Sequence, residues 1–164
     1  SWRRVTVRYP QLDLDQQLCF ALYAACHAMI RTYRPLLADT ELTYPQYLTL
    51  LALWEDPEHP LAVGDIARRL HLEPSTLTPV LKHLETSGLV TRRRDPNDER
   101  RVLVAVTGDA MVLRDRVASV PQALAACVGL DPASGARLRD QLKHLTVLLD
   151  ATNHGGEPAG CHPG

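Results

Sequence analysis

Apolar residues recur at helical spacing along most of the chain and alternate with polar ones in a single region. Leu18, Leu22, Ala25, Met29 and Tyr33 return every three or four residues behind Asp13, which can cap a helix, and Pro35 ends or bends it. A second helix is predicted at "TYPQY": Thr43 can cap it, Pro45 sits in its first turn, and Tyr47, Leu50, Leu51 and Trp54 fall on one face. "EDPEHP" reads as a loop. The spacing of Ile66, Ala67 and Leu70 then predicts a short helix from Val63 to Leu70. "HLEPST" is a turn and cap. Leu77, Leu81 and Leu84 mark the inner face of the next helix, which Gly88 closes in a left-handed conformation. Pro79 fits only in an opening turn, which sets the start of that helix near Glu73–Ser75.

The alternating region follows. "LVTRRR" and "RVLVAV" read as two strands joined by "DPNDER", a turn-rich loop. Gly108 to about Cys127 is predicted as one helix, and Asp131 to about Thr152 as another, with Leu138, Leu142, Leu145 and Leu149 as its stripe. Residues 1–12 show no sustained pattern and are expected to form a flexible arm; 153–164 are Gly/Pro-rich and expected to be a disordered tail.

Bulk composition changes this picture little. A chain of 164 residues with 45% hydrophobic content suits one compact domain, and no apolar run is long enough to span a bilayer, so no membrane partner is expected. The net charge of −1 favours no partner class, but its distribution does. Five arginines (Arg92, Arg93, Arg94, Arg100 and Arg101) lie between Thr91 and Arg101 against Asp95, Asp98 and Glu99. No secretory signal segment is read, so the four cysteines are expected as thiols in a reducing, cytoplasmic compartment.

A short helix, a tight turn, a second helix and a basic hairpin follow one another in the order of a winged helix–turn–helix. With Leu77, Leu81 and Leu84 inward, steps of about 100° put Ser75, Pro79, Lys82 and Thr86 outward, flanked by Thr78 and His83. Thr76, from the cap, belongs to the same candidate surface. Hydroxyls, one Lys and one His suit insertion between phosphates and base edges, where carboxylates would be repelled. The hairpin can carry Arg92, Arg94 and Arg100 to an adjacent minor groove, whose negative potential favours arginine. Asp98 could pair with Arg100 and hold it extended. The alternative is a helical bundle with a solvated hairpin.

At this point "LTYPQYLTLLALWE", "LEPSTLTPVLKHLETSGLVTRRRDPNDERRVLVAVT" and "QLCFALY" together resemble the MarR family of dimeric repressors, closest to its organic hydroperoxide sensors. The resemblance runs from about Gln16 to Asp150. It implies a mainly α fold with a small β-wing: a winged helix–turn–helix over 43–106 plus dimerisation helices over 13–38 and 108–152, within one domain over 13–152. It implies a homodimer on a palindromic double-stranded operator. It implies that Cys19 reacts with an organic hydroperoxide, with Tyr33 and Tyr44 bonding its sulfur from the other subunit. It implies Cys127 as resolving cysteine, giving an intersubunit disulfide. No cofactor and no metal are implied, and no enzymatic turnover.

The residues bear on this independently. In a helix starting at Asp13, Cys19 lies about one and a half turns in, past the first turn where the helix dipole acts. Asp13 and Asp15 are negative there, and Leu18, Phe20 and Leu22 make apolar surroundings, so a thiolate needs neutral donors from elsewhere. Tyr33 is fourteen residues on, roughly 21 Å along one helix, and could meet Cys19 only from an antiparallel partner. Cys26 shares the face of Cys19 and reads as a packing residue, with a resolving role as the alternative. Cys161 beside His162 reads as a tail thiol. Two competing functions are a MarR-type repressor answering a small phenolic ligand and a thiol peroxidase. The wing, and the lack of an active-site arginine motif near Cys19, count against the peroxidase.

Overall fold

The computed structural model describes residues 7–154, which form two compact units, one up to Val120 and one from Pro121.

The first unit opens with two 3-10 turns, Pro10–Leu12 and Leu14–Gln16, so part of the expected arm is ordered. Asp13 joins these turns and accepts a 3.2 Å bond from Arg8 Nη2, whereas Gln17 occupies the N-cap position of α1. Helix α1 is therefore Leu18–Leu37, five residues later than its hydrophobic spacing suggested. Pro35 does not end it; that ring lies in the last turn, and a 3-10 turn, Ala38–Thr40, follows. Helix α2, Tyr44–Trp54, starts with a capping box: the Thr43 hydroxyl accepts from Gln46 N–H, and Gln46 Oε1 accepts from Thr43 N–H at 3.0 Å. Leu51 points to solvent, and Leu53 takes the core place predicted for it.

A two-residue strand, β1 (Leu61–Ala62), precedes α3 (Val63–Arg69), and its brevity left no alternation to read. Helix α4 is Pro74–Thr86, ended by Gly88 at φ +74°. Pro79 is its sixth residue, in the second turn, not the opening one. It supplies no N–H to the Ser75 carbonyl, one hydrogen bond fewer than a regular helix makes. Strands β2 (Val90–Asp95) and β3 (Asp98–Val106) consume nearly all of "DPNDER", leaving a tight turn at Pro96–Asn97 with a register shift between Arg94 and Asp95. The buried Asp95 carboxylate accepts from Asn97 N–H at 2.9 Å and stands in for a longer loop. The antiparallel sheet has the order β1-β3-β2. Leu50, Ile66, Leu77, Leu81, Leu84 and Val104 are completely buried and tie α2, α3, α4 and the sheet into one core.

The helix predicted from Gly108 to Cys127 is two. α5 is Gly108–Val117 and α6 is Val120–Val128. Pro121 cannot donate to the Val117 carbonyl, so the ladder breaks there. In the second unit α7 runs Pro132–His154, past its expected end, with Leu138, Leu142 and Leu149 exposed. The rest of the expected tail, Cys161 and His162 included, lies outside the described residues.

Candidate functional site

Two clusters of the first unit carry chemistry. One is built by α3, α4 and the β2–β3 hairpin. The buried leucines of α4 turn Ser75, Thr76, Thr78, Pro79, Lys82 and His83 outward, and all six are exposed. The Thr78 hydroxyl donates to the Pro74 carbonyl at 2.9 Å, which fixes its rotamer and leaves its oxygen able to accept. Beside them lies a groove of about 470 Å³ lined in part by Asp65, Arg68, Thr78, Arg92, Arg100 and Arg101.

The arginines of that groove are held differently. Arg92 donates to Glu85 Oε2 through Nε at 2.9 Å and Nη2 at 2.6 Å. That hydrogen bond holds the Glu85 carboxyl below the usual carboxylate range. Arg92 is thus tied to α4 while still lining the groove. Arg94 Nη1 donates to the Glu99 carbonyl at 2.7 Å, across the turn. Arg100, 92% exposed at its side chain, keeps Nε 3.3 Å from Asp98 Oδ1, and Asp98 Oδ1 also accepts from Arg100 N–H at 3.1 Å. Asp98 therefore props a highly exposed cation of the hairpin. Asp65 was not anticipated. It accepts from Arg68 at 3.0 Å and from Arg101 at 3.1 Å, joining α3 to β3 across thirty-six residues of sequence, a separation at which no local pattern could signal it.

The second cluster lies between α1 and α2. Tyr33 and Tyr44 pack with ring centroids 4.7 Å apart, and Tyr47 lies 5.7 Å from Tyr33. Tyr47 had been assigned only to the core; its place three residues after Tyr44 on the capped helix was the available signal. Burial first, then the neighbouring Tyr33, Cys26 and Tyr47, push the Tyr44 phenol up to about 12. The phenols are thus held as neutral donors. Cys19 is on the same continuous helix as Tyr33 and cannot reach it within the chain. It is the second residue of α1, inside the first turn, not one and a half turns in as expected. The N–H groups there lack intrahelical acceptors and favour an anion. Cys19, Cys26 and Cys127 are free thiols, all exposed in the single chain. Cys127 lies in α6, in the second unit.

An exposed polar helix beside a three-stranded sheet with an arginine-bearing hairpin defines a winged-helix DNA-binding protein. Residues 42–102 match the MarR family. The chain is 40% identical to the organic hydroperoxide resistance transcriptional regulator of Bacillus subtilis, over 87% of this chain and 94% of that one. It is 49% identical to the HTH-type transcriptional regulator TtmR of Methylorubrum extorquens, over 85% of this chain and 70% of that protein. Among solved structures, reduced AbfR bound to DNA superposes with a TM-score of 0.68 at 34% identity, covering 85% of this chain and 96% of that one. Disulfide-formed AbfR gives 0.56 at 36% identity, over 83% and 94%. The chain belongs to the MarR family of DNA-binding transcriptional regulators, on the branch of the organic hydroperoxide sensors.

Proposed function

We propose that the chain is a dimeric repressor that releases a palindromic operator when an organic hydroperoxide oxidises Cys19. The observation that carries this is the position of Cys19 in the first turn of α1, fourteen residues before Tyr33, whose ring packs on that of Tyr44. Phenols donate without adding charge. Fourteen residues span roughly 21 Å, so on this reading Tyr33 of the partner subunit is a donor, with Tyr44 of the partner subunit packed beside it. The hydroperoxide-resistance regulator named above and the disulfide form of AbfR support the same chemistry.

The thiolate attacks the distal peroxide oxygen, the O–O bond breaks, and the alcohol leaves as Cys19 becomes a sulfenic acid. Cys127 of the partner subunit then displaces water to form a disulfide. Bridging requires α-carbons within about 7 Å, so a wider resting gap turns oxidation into helix movement. Two recognition helices must match one turn of DNA, roughly 34–36 Å, so that movement lowers affinity. On DNA, Ser75, Thr76, Thr78, Pro79, Lys82 and His83 face the major groove, Arg100 propped by Asp98 enters the minor groove, and Arg94 lies beside it. Arg92 supports α4 from behind.

The test is a gel-shift titration on a duplex selected from a random-sequence pool, with and without cumene hydroperoxide. Wild type should release the duplex. Cys19→Ser should bind it equally well and ignore the peroxide; release by that variant would refute the sensor assignment. Cys127→Ser should lose the covalent dimer on non-reducing gels, and a surviving one would move the resolving role to another cysteine.

A further inference from the structure

We infer that Cys26 lies on the two-fold axis of the α1–α1 contact, opposite Cys26 of the partner subunit, and that this pair can close an intersubunit disulfide separate from the Cys19 chemistry. The inference rests on the antiparallel pairing proposed above and deepens it.

Cys19, Cys26 and Tyr33 are spaced by seven residues on one unbroken helix. Seven steps of about 100° come back to within about 20° of the start, so the three share a face. Leu22, Tyr23, Met29 and Ile30 lie within about 60° of Cys26 on that face. Around Cys26 that face is partly uncovered in the single chain, with Tyr23 at 63% exposure and Met29 at 37%, while Leu22 and Ile30 are half-buried and Tyr33 packs on Tyr44. The occupant is a second copy of this chain, and the charges of α1 favour its running antiparallel. Asp13 and Asp15 precede the helix, Arg31 and Arg34 stand in its second half, and no carboxylate lies between Leu18 and Leu37. A parallel partner would set Arg34 against Arg34. An antiparallel one carries Arg34 toward the Asp15 end.

An antiparallel register that puts Cys19 against Tyr33 of the partner subunit has one self-opposed position, and it is residue 26. Helices pack with axes about 8–10 Å apart and carry α-carbons at a radius of about 2.3 Å. Directly facing α-carbons are then about 3–5 Å apart, rising with any sideways offset into the 4.4–6.8 Å span of a disulfide. The same register leaves Cys19 roughly 10 Å along the axis from Cys26 of the partner subunit, too far to bridge without shifting the helix. Cys26 is smaller than the Leu, Tyr, Met and Ile side chains that flank it, which suits a crossing point.

The covalent step joins two thiols. A two-electron oxidant such as a diazene dicarboxamide (diamide) takes up the two electrons and two protons and becomes the hydrazine, while the S–S bond forms. A bridge on the symmetry axis ties the subunits without changing which residues face each other.

The experiment uses full-length chains with one cysteine each. Cys26 alone (Cys19→Ser, Cys127→Ser, Cys161→Ser) should convert with diamide to a covalent dimer, losing one free thiol per chain. It should react at least tenfold faster than Cys19 alone. In the cysteine-free background Leu22→Cys is the register control, because its two copies would stand roughly 12 Å apart along the axis. Cross-linking of Leu22→Cys as fast as Cys26, or no cross-link from a Cys26-only chain that is dimeric by light scattering, would overturn the placement. If Cys26 fails while wild type still answers cumene hydroperoxide through Cys19, only the placement falls. If Cys19→Ser still answers peroxide, the sensor reading falls whatever Cys26 does.

Discussion

Tyr44 packs on Tyr33, which is the nearer ring to both Tyr44 and Tyr47, and its phenol is pushed from 10.0 to about 12, burial being the largest cause. A folded pKa above the unfolded one means that the folded state favours the neutral phenol. The stability this brings is complete below pH 10 and is lost as the pH climbs toward about 12. Ultraviolet titration of the phenolate should show a tyrosine ionising near the upper value, and urea midpoints should fall across that window. Tyr33→Phe keeps the burial but removes a neighbouring phenol, so it should bring the Tyr44 transition down only part of the way. A Tyr44 that ionises at 10 in the folded protein would contradict the packing of the three rings.

At the scale of elements, helix ends were legible where a side chain makes the cap and illegible where the backbone does. Thr43 announces α2 from the position just before it, and the capping box it forms with Gln46 satisfies two donors at once. Thr43→Ala should cost about 1 kcal/mol in urea unfolding, and it should loosen Tyr44, the first residue of that helix. Asp13 carries the same kind of side chain, yet it serves a 3-10 junction, because Gln17 rather than Asp13 is where the extended chain turns into α1. That difference moves Cys19 from about one and a half turns in to the first turn of α1. The apolar run from Gly108 to Cys127 suggests one helix, and Pro121, which that spacing does not register, is where the ladder breaks. The groove arginines divided in the same manner. Arg100 with Asp98 could be read from adjacency, whereas Glu85 on Arg92 and Asp65 on Arg101 need the third dimension.

For the whole molecule the decisive quantity is affinity for DNA as a function of salt. Each lost phosphate contact lowers the slope of log K against log salt by about 1. Arg100→Ala should weaken binding to the selected duplex and flatten that slope by about 1 if Arg100 lies against phosphate in its groove, with the dimer mass unchanged. Equal affinity and equal slope would take the hairpin tip out of the contact set. Asp98→Asn should act in the same direction but more weakly, because it removes the prop and leaves the cation.

Pro79 has a consequence for anyone wishing to make this regulator more robust. A proline inside a helix costs about 3 kcal/mol against alanine, through the missing amide and the crowding of its ring. Replacing it is therefore expected to raise heat resistance, and the residue falls in the middle of the surface proposed to meet DNA. A screen for thermal tolerance alone would be drawn to that position and would return proteins that survive heating but have altered the shape with which they read their target.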